Sequence, residues 1–448
     1  MISKEWTNKL GSDTSMFFLL VVSIVSLLIE ITVARLSNVL YSGPEMLPLS
    51  EFLFASGIII FSIAHSLILL NVRKKMNALF GISQHMLKRL LQYMIIVQFI
   101  LNGLMVIILI QILNDLIYKS NLIISIVSIS YISGILNLTL LTHRFVRWIL
   151  SGRSYVSLLF GIATCSILIN TIFTFVFLVK ILLSQPNEIA WHIGILSLPI
   201  SDFTYTLSQF YSISFIISSL VTWLATITVL HTYSFRIGKV KFWTFAILPL
   251  LYIIGEFQSF YLPLLTDYRL ANPVGFTIIN ILTFSTIRFG GALFFGFGFW
   301  AMSRKIQQKS LKTFLNISAY GLILLFVTNQ ASLLLNTLFP PLGLTTASFV
   351  GLSSFLLLVG TYSAALSVSY DVNIRKAIRT SLEKESQLIG HIGNAELQAK
   401  LSSKVRSMLD KFPKSLQDTQ MESSLTDEDI KNYTNEVIHE LIRRKNLK

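Results

Sequence analysis

Charged residues are scarce in this chain and unevenly placed. Asp, Glu, Lys and Arg make up 13% of the 448 residues, whereas soluble domains carry about 25%. The 78 residues from Asp371 onward hold 14 basic and 12 acidic side chains, which leaves little charge for the first 370. Because the surface of a soluble domain needs charge, this composition excludes a soluble enzyme over most of the chain. It indicates a polytopic membrane protein.

Cysteine, glycine and proline are also scarce. The single cysteine, Cys165, excludes an intrachain disulfide framework and a zinc site built from four thiolates. With 22 glycines and 10 prolines, the sequence does not predict the broken helices that hold substrate sites in many transporters. No P-loop motif occurs in the tail or in the predicted cytoplasmic loops, and no cofactor is expected.

Long hydrophobic runs are numerous. A helix needs about 20 apolar residues to cross a hydrocarbon core about 30 Å thick. The predicted fold class is therefore all-α, a polytopic bundle of about ten transmembrane helices in residues 1–370 with a helical cytoplasmic tail in residues 371–448. The predicted spans are 16–35, 52–72, 90–113, 122–142, 155–179, 209–230, 242–264, 274–301, 313–337 and 345–369.

Lysine and arginine alternate between the predicted loops. The loops after spans 2, 4, 6 and 8 hold 15 of them, and those after spans 1, 3, 5, 7 and 9 hold four. Cytoplasmic loops carry the basic excess, so we expect a multi-pass protein of the cell membrane with both termini in the cytoplasm. The net charge of +14 reflects this topology, and the bilayer rather than nucleic acid is the expected partner.

Polar residues inside the spans are the first candidates for a functional site, because charge at membrane depth is costly. Glu256 in span 7 and Arg288 in span 8 lie at matched depth, about 21 Å from the inner edge at about 1.5 Å per residue. Asn280 shares the helix face of Arg288, and Glu30 and Asn329 lie at a similar height. This intramembrane polar centre is predicted to be either a structural ion pair or a site for an ion, a small solute or a relayed proton.

Isolated polar residues in other spans are interpreted as contacts between helices. His65 in span 2 is predicted to be a neutral, hydrogen-bonded contact, and Gln98 and Asn102 in span 3 are predicted to tie helices together. Ala292 and Gly296 have the spacing of small residues that permits close helix packing.

The longest outer loop, residues 184–208, is apolar enough to lie in the membrane interface as a short helix. On such a helix Glu188 and His192 would share a face. Two ligands are too few for a structural metal site, so no metal is predicted.

The tail shows helical periodicity. Residues 372–411 are predicted to form an amphipathic helix that continues span 10, with a bend or a flexible joint at Gly390 and Gly393. A second amphipathic helix is predicted to begin at Thr426, which has the position of an N-cap. The apolar faces need cover, so residues 372–445 either pack on themselves as an anchor or bind a second protomer or a cytoplasmic protein.

Two stretches carry a resemblance to a known group of proteins. They are SVSYDVNIRKAIRTSLEKESQLIGHIGNAELQ at the end of span 10 and SSLTDEDIKNYTNEVIHELIRR near the end of the chain. They resemble the C-terminal parts of uncharacterised polytopic membrane proteins of ammonia-oxidising archaea. The resemblance covers about a quarter of the chain, and it implies a membrane location in an archaeal cell without implying an activity.

Two functions fit these features. The first is a non-enzymatic sensor, signalling or scaffold protein, in which the helix after span 10 transmits a change in the membrane domain to a partner. The second is a secondary transporter or channel with the polar centre at the bilayer midplane. The absence of a recognisable internal repeat and of helix breaks favours the first. A membrane-embedded enzyme is the third interpretation.

Overall fold

The computed structural model describes most of the chain, in ten stretches. They are residues 21–33, 47–80, 85–151, 154–190, 202–231, 238–256, 266–306, 308–336, 339–370 and 384–409. Within these stretches the chain forms thirteen helices and one two-stranded sheet. The predicted all-α fold is confirmed for this part of the chain.

The first part of the chain forms six helices and two strands within the described residues. They are α1 (Val21–Val33), α2 (Leu47–Phe80), α3 (His85–Asp115), β1 (Ile117–Lys119), α4 (Ser120–Ser151), α5 (Tyr155–Leu183), β2 (Glu188–Ala190) and α6 (Asp202–Leu230).

The second part of the chain is also helical. Its elements are α7 (Lys239–Glu256), α8 (Thr266–Ala271), α9 (Pro273–Lys305), α10 (Lys309–Thr328), α11 (Ala331–Asn336), α12 (Leu344–Tyr370) and α13 (Lys384–Leu409).

Seven of the described helices are long and apolar enough to cross a membrane, namely α2, α3, α4, α5, α6, α10 and α12. Several carry large apolar side chains on their outer surface, such as Phe52, Phe99 and Phe203, which are 66%, 70% and 61% exposed. Such a surface is expected where lipid rather than water surrounds the protein. The architecture is that of a multi-pass membrane protein.

Helix α12 lies at the centre of the bundle. Its apolar stretch is completely buried, and it contacts α2, α3, α4, α10, α11 and α13. Small and hydroxyl residues let its neighbours approach closely. The Ser130 hydroxyl of α4 donates to the carbonyl oxygens of Ala347 and Ser348 at 2.8 and 3.1 Å. A Cβ on Gly360 would lie 2.8 Å from the carbonyl oxygen of Phe314 in α10.

Helix α9 packs against α10 in the same way. A Cβ on Gly296 would lie 2.8 Å from the carbonyl oxygen of Ala319, and Ala292 is completely buried. The close packing predicted from the spacing of Ala292 and Gly296 is confirmed.

Residues 188–190 form a strand, so the prediction of an interfacial helix across this part of the 184–208 loop is wrong. β2 pairs antiparallel with β1, with Tyr118 opposite Ile189 and Lys119 opposite Glu188. Tyr118 and Ile189 are buried, while the oppositely charged Lys119 and Glu188 lie opposite one another at exposed positions. The pairing of β1 with β2 therefore buries this apolar pair and leaves the charged side chains exposed. The sequence of the loop alone did not reveal that β1 is its partner strand. His192 lies outside the described residues.

The ninth predicted span is interrupted, so the prediction of a continuous helix over 313–337 is wrong. α10 ends at Thr328, and α11 begins at Ala331. Asn329 leaves the helical conformation, with φ −79° and ψ 64°. The side chain of Gln330 donates to the carbonyl oxygen of Val327 at 3.0 Å. Polar side chains that bond to the local backbone compete with the helix, and the amide of Gln330 does so here.

The tail helix differs from its prediction in two respects. α13 runs through Gly390 and Gly393 without a break, so the predicted bend is wrong. The helix packs on the bundle of its own chain, where it contacts α4, α5, α6 and α12. Gly393 faces Val368 of α12 at a distance that leaves no room for a side chain. This packing offsets the cost of about 1 kcal/mol for each helical glycine. Residues 371–383 and 410–448, including the predicted helix from Thr426, lie outside the described residues.

The central position of α12 makes a prediction about its glycines. Gly360→Ala should lower the free energy of unfolding by about 1–3 kcal/mol, because the new methyl group would collide with the backbone of α10. Unfolding of the purified protein in detergent measures the change. Gly103→Ala in α3 is the matched control, since a Cβ there meets nothing within 4 Å. Equal stability of the two variants would contradict the central packing of α12.

Candidate functional site

Two buried amide side chains meet at the interruption between α10 and α11. The amide nitrogen of Asn329 donates to Oδ1 of Asn170 at 2.9 Å and to Oγ1 of Thr171 at 3.2 Å. The amide nitrogen of Asn170 in turn donates to Oγ of Ser214 at 3.1 Å. Asn170 and Thr171 belong to α5 and Ser214 to α6, so these four residues, the amide cluster, join three parts of the bundle.

A small cavity borders the amide cluster. Its volume is about 10 Å³, close to the space that one water molecule needs. Asn170, Ser218 and Asn329 supply its polar lining, and four apolar residues of α5, α6 and α10 complete it. Oδ1 of Asn329 is buried and has no hydrogen-bond partner. The amide oxygen of Asn329 is therefore a hydrogen-bond acceptor without a donor. It belongs to a residue that lines a cavity with room for about one water molecule.

Glu30 of α1 binds the beginning of α12. Its Oε1 accepts a hydrogen bond from the backbone nitrogen of Gly343 at 2.8 Å. Its Oε2 accepts from the hydroxyl of Thr346 at 2.7 Å and from the hydroxyl of Thr345. A carboxylate near a helix N-terminus is favourable because the helix dipole is positive there. Glu30 thus fixes α1 to the central helix.

The predicted polar centre is resolved only in part. Glu30 and Asn329 each have partners of their own, and no hydrogen bond joins the two in the described part of the chain. Helices α7 and α9, which carry Glu256 and Arg288, contact one another. The side chains of Glu256, Arg288 and Asn280 lie outside what the structure describes. The ion pair between Glu256 and Arg288 and the placement of Asn280 stay predictions.

The other polar contacts follow the sequence expectation except at one residue. The ring of His65 lies 2.8 Å from the carbonyl oxygen of Phe61 through Nδ1 and 3.2 Å from the amide nitrogen of Asn102 through Nε2. One nitrogen thus donates and the other accepts, which is the pattern of a neutral imidazole linking α2 and α3. Gln98 is completely buried, but neither polar atom of its amide has a hydrogen-bond partner. The predicted tie through Gln98 is wrong.

Glu396 of α13 is a buried carboxylate that the sequence gave no reason to select. It is 4% exposed and accepts hydrogen bonds from the Trp148 indole at 3.2 Å and the Tyr362 hydroxyl at 3.3 Å. The guanidinium of Arg144 lies 4.6 Å from the centre of the Tyr362 ring. Glu396 therefore joins the tail helix to α4 and α12. Its neighbours in the sequence are those of an ordinary amphipathic helix.

The described residues contain no group of three or more His, Cys, Asp or Glu side chains placed to hold a metal ion. Glu188, one of the two ligand candidates in the outer loop, lies exposed on β2. The neutral amide and hydroxyl groups of the amide cluster can orient a small polar species or an ion. None of them is arranged as a nucleophile with an adjacent base.

Comparisons with protein-family models, with curated proteins and with solved structures found no match for this chain.

The amide cluster makes a prediction about coupling between α5 and α10. Asn170→Ala, Asn329→Ala and the double variant should form a double-mutant cycle with a coupling energy of about 0.5–1.5 kcal/mol, typical of hydrogen bonds between membrane helices. Unfolding in detergent measures it. A parallel cycle that pairs Asn170 with Asn102 should give a value near zero, because Asn102 bonds to His65 instead. Equal coupling in the two cycles would contradict the cluster.

Proposed function

We propose that this chain is a non-catalytic sensor or signalling protein of the cell membrane, in which the tail helix α13 transmits the state of the bundle to the cytoplasm. The proposal includes ten membrane spans and both termini in the cytoplasm. The alternation of basic loops supports that orientation. The observation that carries the proposal is the position of α13 against the central helix α12.

The contacts of α13 provide a physical route for transmission. α13 contacts α4, α5, α6 and α12, so a relative shift of these helices changes the surface on which it lies. α12 itself contacts six elements of the bundle. Coupling between distant sites requires packed elements that can adopt two arrangements, and α13 is the element whose second arrangement is the released helix.

The interface between α13 and the bundle combines contributions that stabilise the bound position with one that opposes it. Leu388, Ile389 and Ile392 are 2%, 1% and 2% exposed, so their burial stabilises the bound position. Glu396 opposes it, because a buried carboxylate loses hydration that two neutral donors at 3.2 and 3.3 Å replace only in part. Opposing contributions of this kind keep the net free energy of binding small enough for a signal to change.

A cytoplasmic partner or a second copy of the chain would complete the pathway. The bound face of α13 is occupied by the bundle, whereas His391 and Asn394 on the opposite face are exposed. The sequence after Leu409 is also rich in charged residues. In this proposal the partner binds the exposed face and the end of the chain, or it captures the apolar face after release.

Cysteine labelling tests whether α13 opens separately from the bundle. In a Cys165→Ser background, Ile392→Cys should react with a soluble maleimide at least about tenfold more slowly than His391→Cys, because Ile392 is buried and His391 is exposed. It should also react at least about tenfold faster than Ala364→Cys in α12, since local opening requires less free energy than global unfolding.

Either limit would contradict the proposal. A rate equal to that of His391→Cys would mean that α13 is not bound to the bundle. A rate equal to that of Ala364→Cys would make α13 a permanent anchor. The diagnostic variant adds Glu396→Ala to each cysteine variant. It should change the rate of maleimide reaction at Ile392→Cys and leave the rate at His391→Cys unchanged.

The interruption at Asn329 and Gln330 favours a second candidate, a secondary transporter or channel. Discontinuous helices expose backbone and polar groups to a substrate, and the amide cluster lies at such a point. Under this alternative a water-filled path must reach Ser218 beside the cavity. Rapid reaction of Ser218→Cys with a charged methanethiosulfonate reagent, in the same Cys165→Ser background, would favour transport over the proposed sensor.

A further inference from the structure

We propose that the cavity beside the amide cluster binds one monovalent cation. The inference goes beyond the proposed role of α13 and does not depend on it. It stands on the size of the cavity, on the balance of hydrogen-bond donors and acceptors around it, and on its position at the end of α10.

The cavity has room for one small particle. Its volume of about 10 Å³ accommodates one particle about the size of a water molecule. An alkali cation is of about this size. Asn170, Ser218 and Asn329 are its polar lining residues. An organic solute would not fit without displacement of the surrounding apolar side chains.

Most of the donors around the cavity are already used. The Asn329 amide nitrogen donates within the cluster, and the Asn170 amide nitrogen donates to Ser214. The Ser218 hydroxyl donates to the carbonyl oxygen of Phe215 at 2.9 Å. What remains at the cavity is one N–H of the Asn170 amide and, in excess over it, oxygen with free lone pairs on Asn329 and Ser218. Oxygen lone pairs without donors are the surroundings that a cation requires, whereas an anion requires donors.

The orientation of the Asn329 amide follows from its neighbour. The Thr171 hydroxyl donates to the carbonyl oxygen of Ile167 at 2.8 Å, so towards Asn329 it can only accept. The amide nitrogen of Asn329 must therefore face Thr171, which leaves Oδ1 without a donor. This oxygen is buried on a side chain that is only 6% exposed. A bound cation would satisfy it.

The end of α10 and the lining of the cavity indicate the charge of the ligand. The cavity borders the last turn of α10, a helix of 20 residues, and a helix C-terminus carries a partial negative charge equivalent to about half an electron. Interrupted membrane helices bind sodium ions through such ends. No carboxylate lines the cavity among the described residues, and divalent cations prefer carboxylate ligands. The arrangement therefore fits a single positive charge.

Thermal unfolding of the purified full-length protein tests the inference. The protein is compared in lithium, sodium, potassium and choline chloride at equal ionic strength. At least one alkali chloride should raise Tm by about 2 °C or more above the value in choline chloride, with saturation, because a ligand that binds only the folded state stabilises it. Asn329→Ala should abolish the difference, and Asn329→Asp, which supplies a carboxylate, should enlarge it.

A matched control and two contrary outcomes make the test decisive. Asn102→Ala removes a membrane amide outside the cavity and should retain the full alkali-specific shift. Equal Tm in choline and in all alkali salts would overturn the proposal and leave water as the occupant. A shift that persists in Asn329→Ala and in Ser218→Ala would also overturn it, because the ion would then bind elsewhere. If Asn329→Ala does not fold, Asn329→Asp and Ser218→Ala still decide the result.

Discussion

Helix packing in lipid depends on close approach, because apolar side chains gain little by leaving one apolar medium for another. The structure meets this constraint around α12. Its neighbours come within contact of its backbone at Gly351 and Gly360, and α4 donates hydroxyl hydrogen bonds to its first turns. Large apolar residues also cover the outer surfaces of α2, α3 and α6, where lipid surrounds the protein. The bundle is therefore organised around one buried helix, whose small residues let its neighbours approach closely.

The same constraint gives the buried polar residues their roles. With no water available, each must find a partner within the protein or remain costly. Glu30 finds three donors at the start of α12, and Glu396 finds two, the Trp148 indole of α4 and the Tyr362 hydroxyl of α12. The amide nitrogen of Asn329 has partners, but its amide oxygen has none. The two carboxylates thus have donors beside the central helix, whereas the amide cluster keeps one acceptor without a donor. That difference separates structural contacts from the site where a ligand would gain most.

Much of this architecture was accessible from the sequence, and the exceptions have physical causes. Hydrophobic length identified the helices, since it follows directly from the thickness of the bilayer, and the contact of His65 followed from its isolation in an apolar span. The interruption at Asn329 was missed because the apolar run continues through it, although the adjacent amides at 329 and 330 were a usable signal. Asn170 was also visible as a solitary amide in its span. Glu396 could not have been selected, because its burial depends on how the tail folds back onto α4 and α12.

Helix α13 packs on the central helix α12, and we propose that it opens more readily than α12 does. Hydrogen–deuterium exchange of the wild-type protein in lipid nanodiscs distinguishes this behaviour from a permanent anchor and from an unbound tail. We expect the amides of residues 388–396 to exchange at least about a hundredfold more slowly than an unstructured peptide, and faster than those of α12. Exchange of residues 388–396 at the rate of an unstructured peptide would mean that α13 is unbound, and exchange as slow as that of α12 would mean that it never opens separately; either result rules out the proposed role of α13.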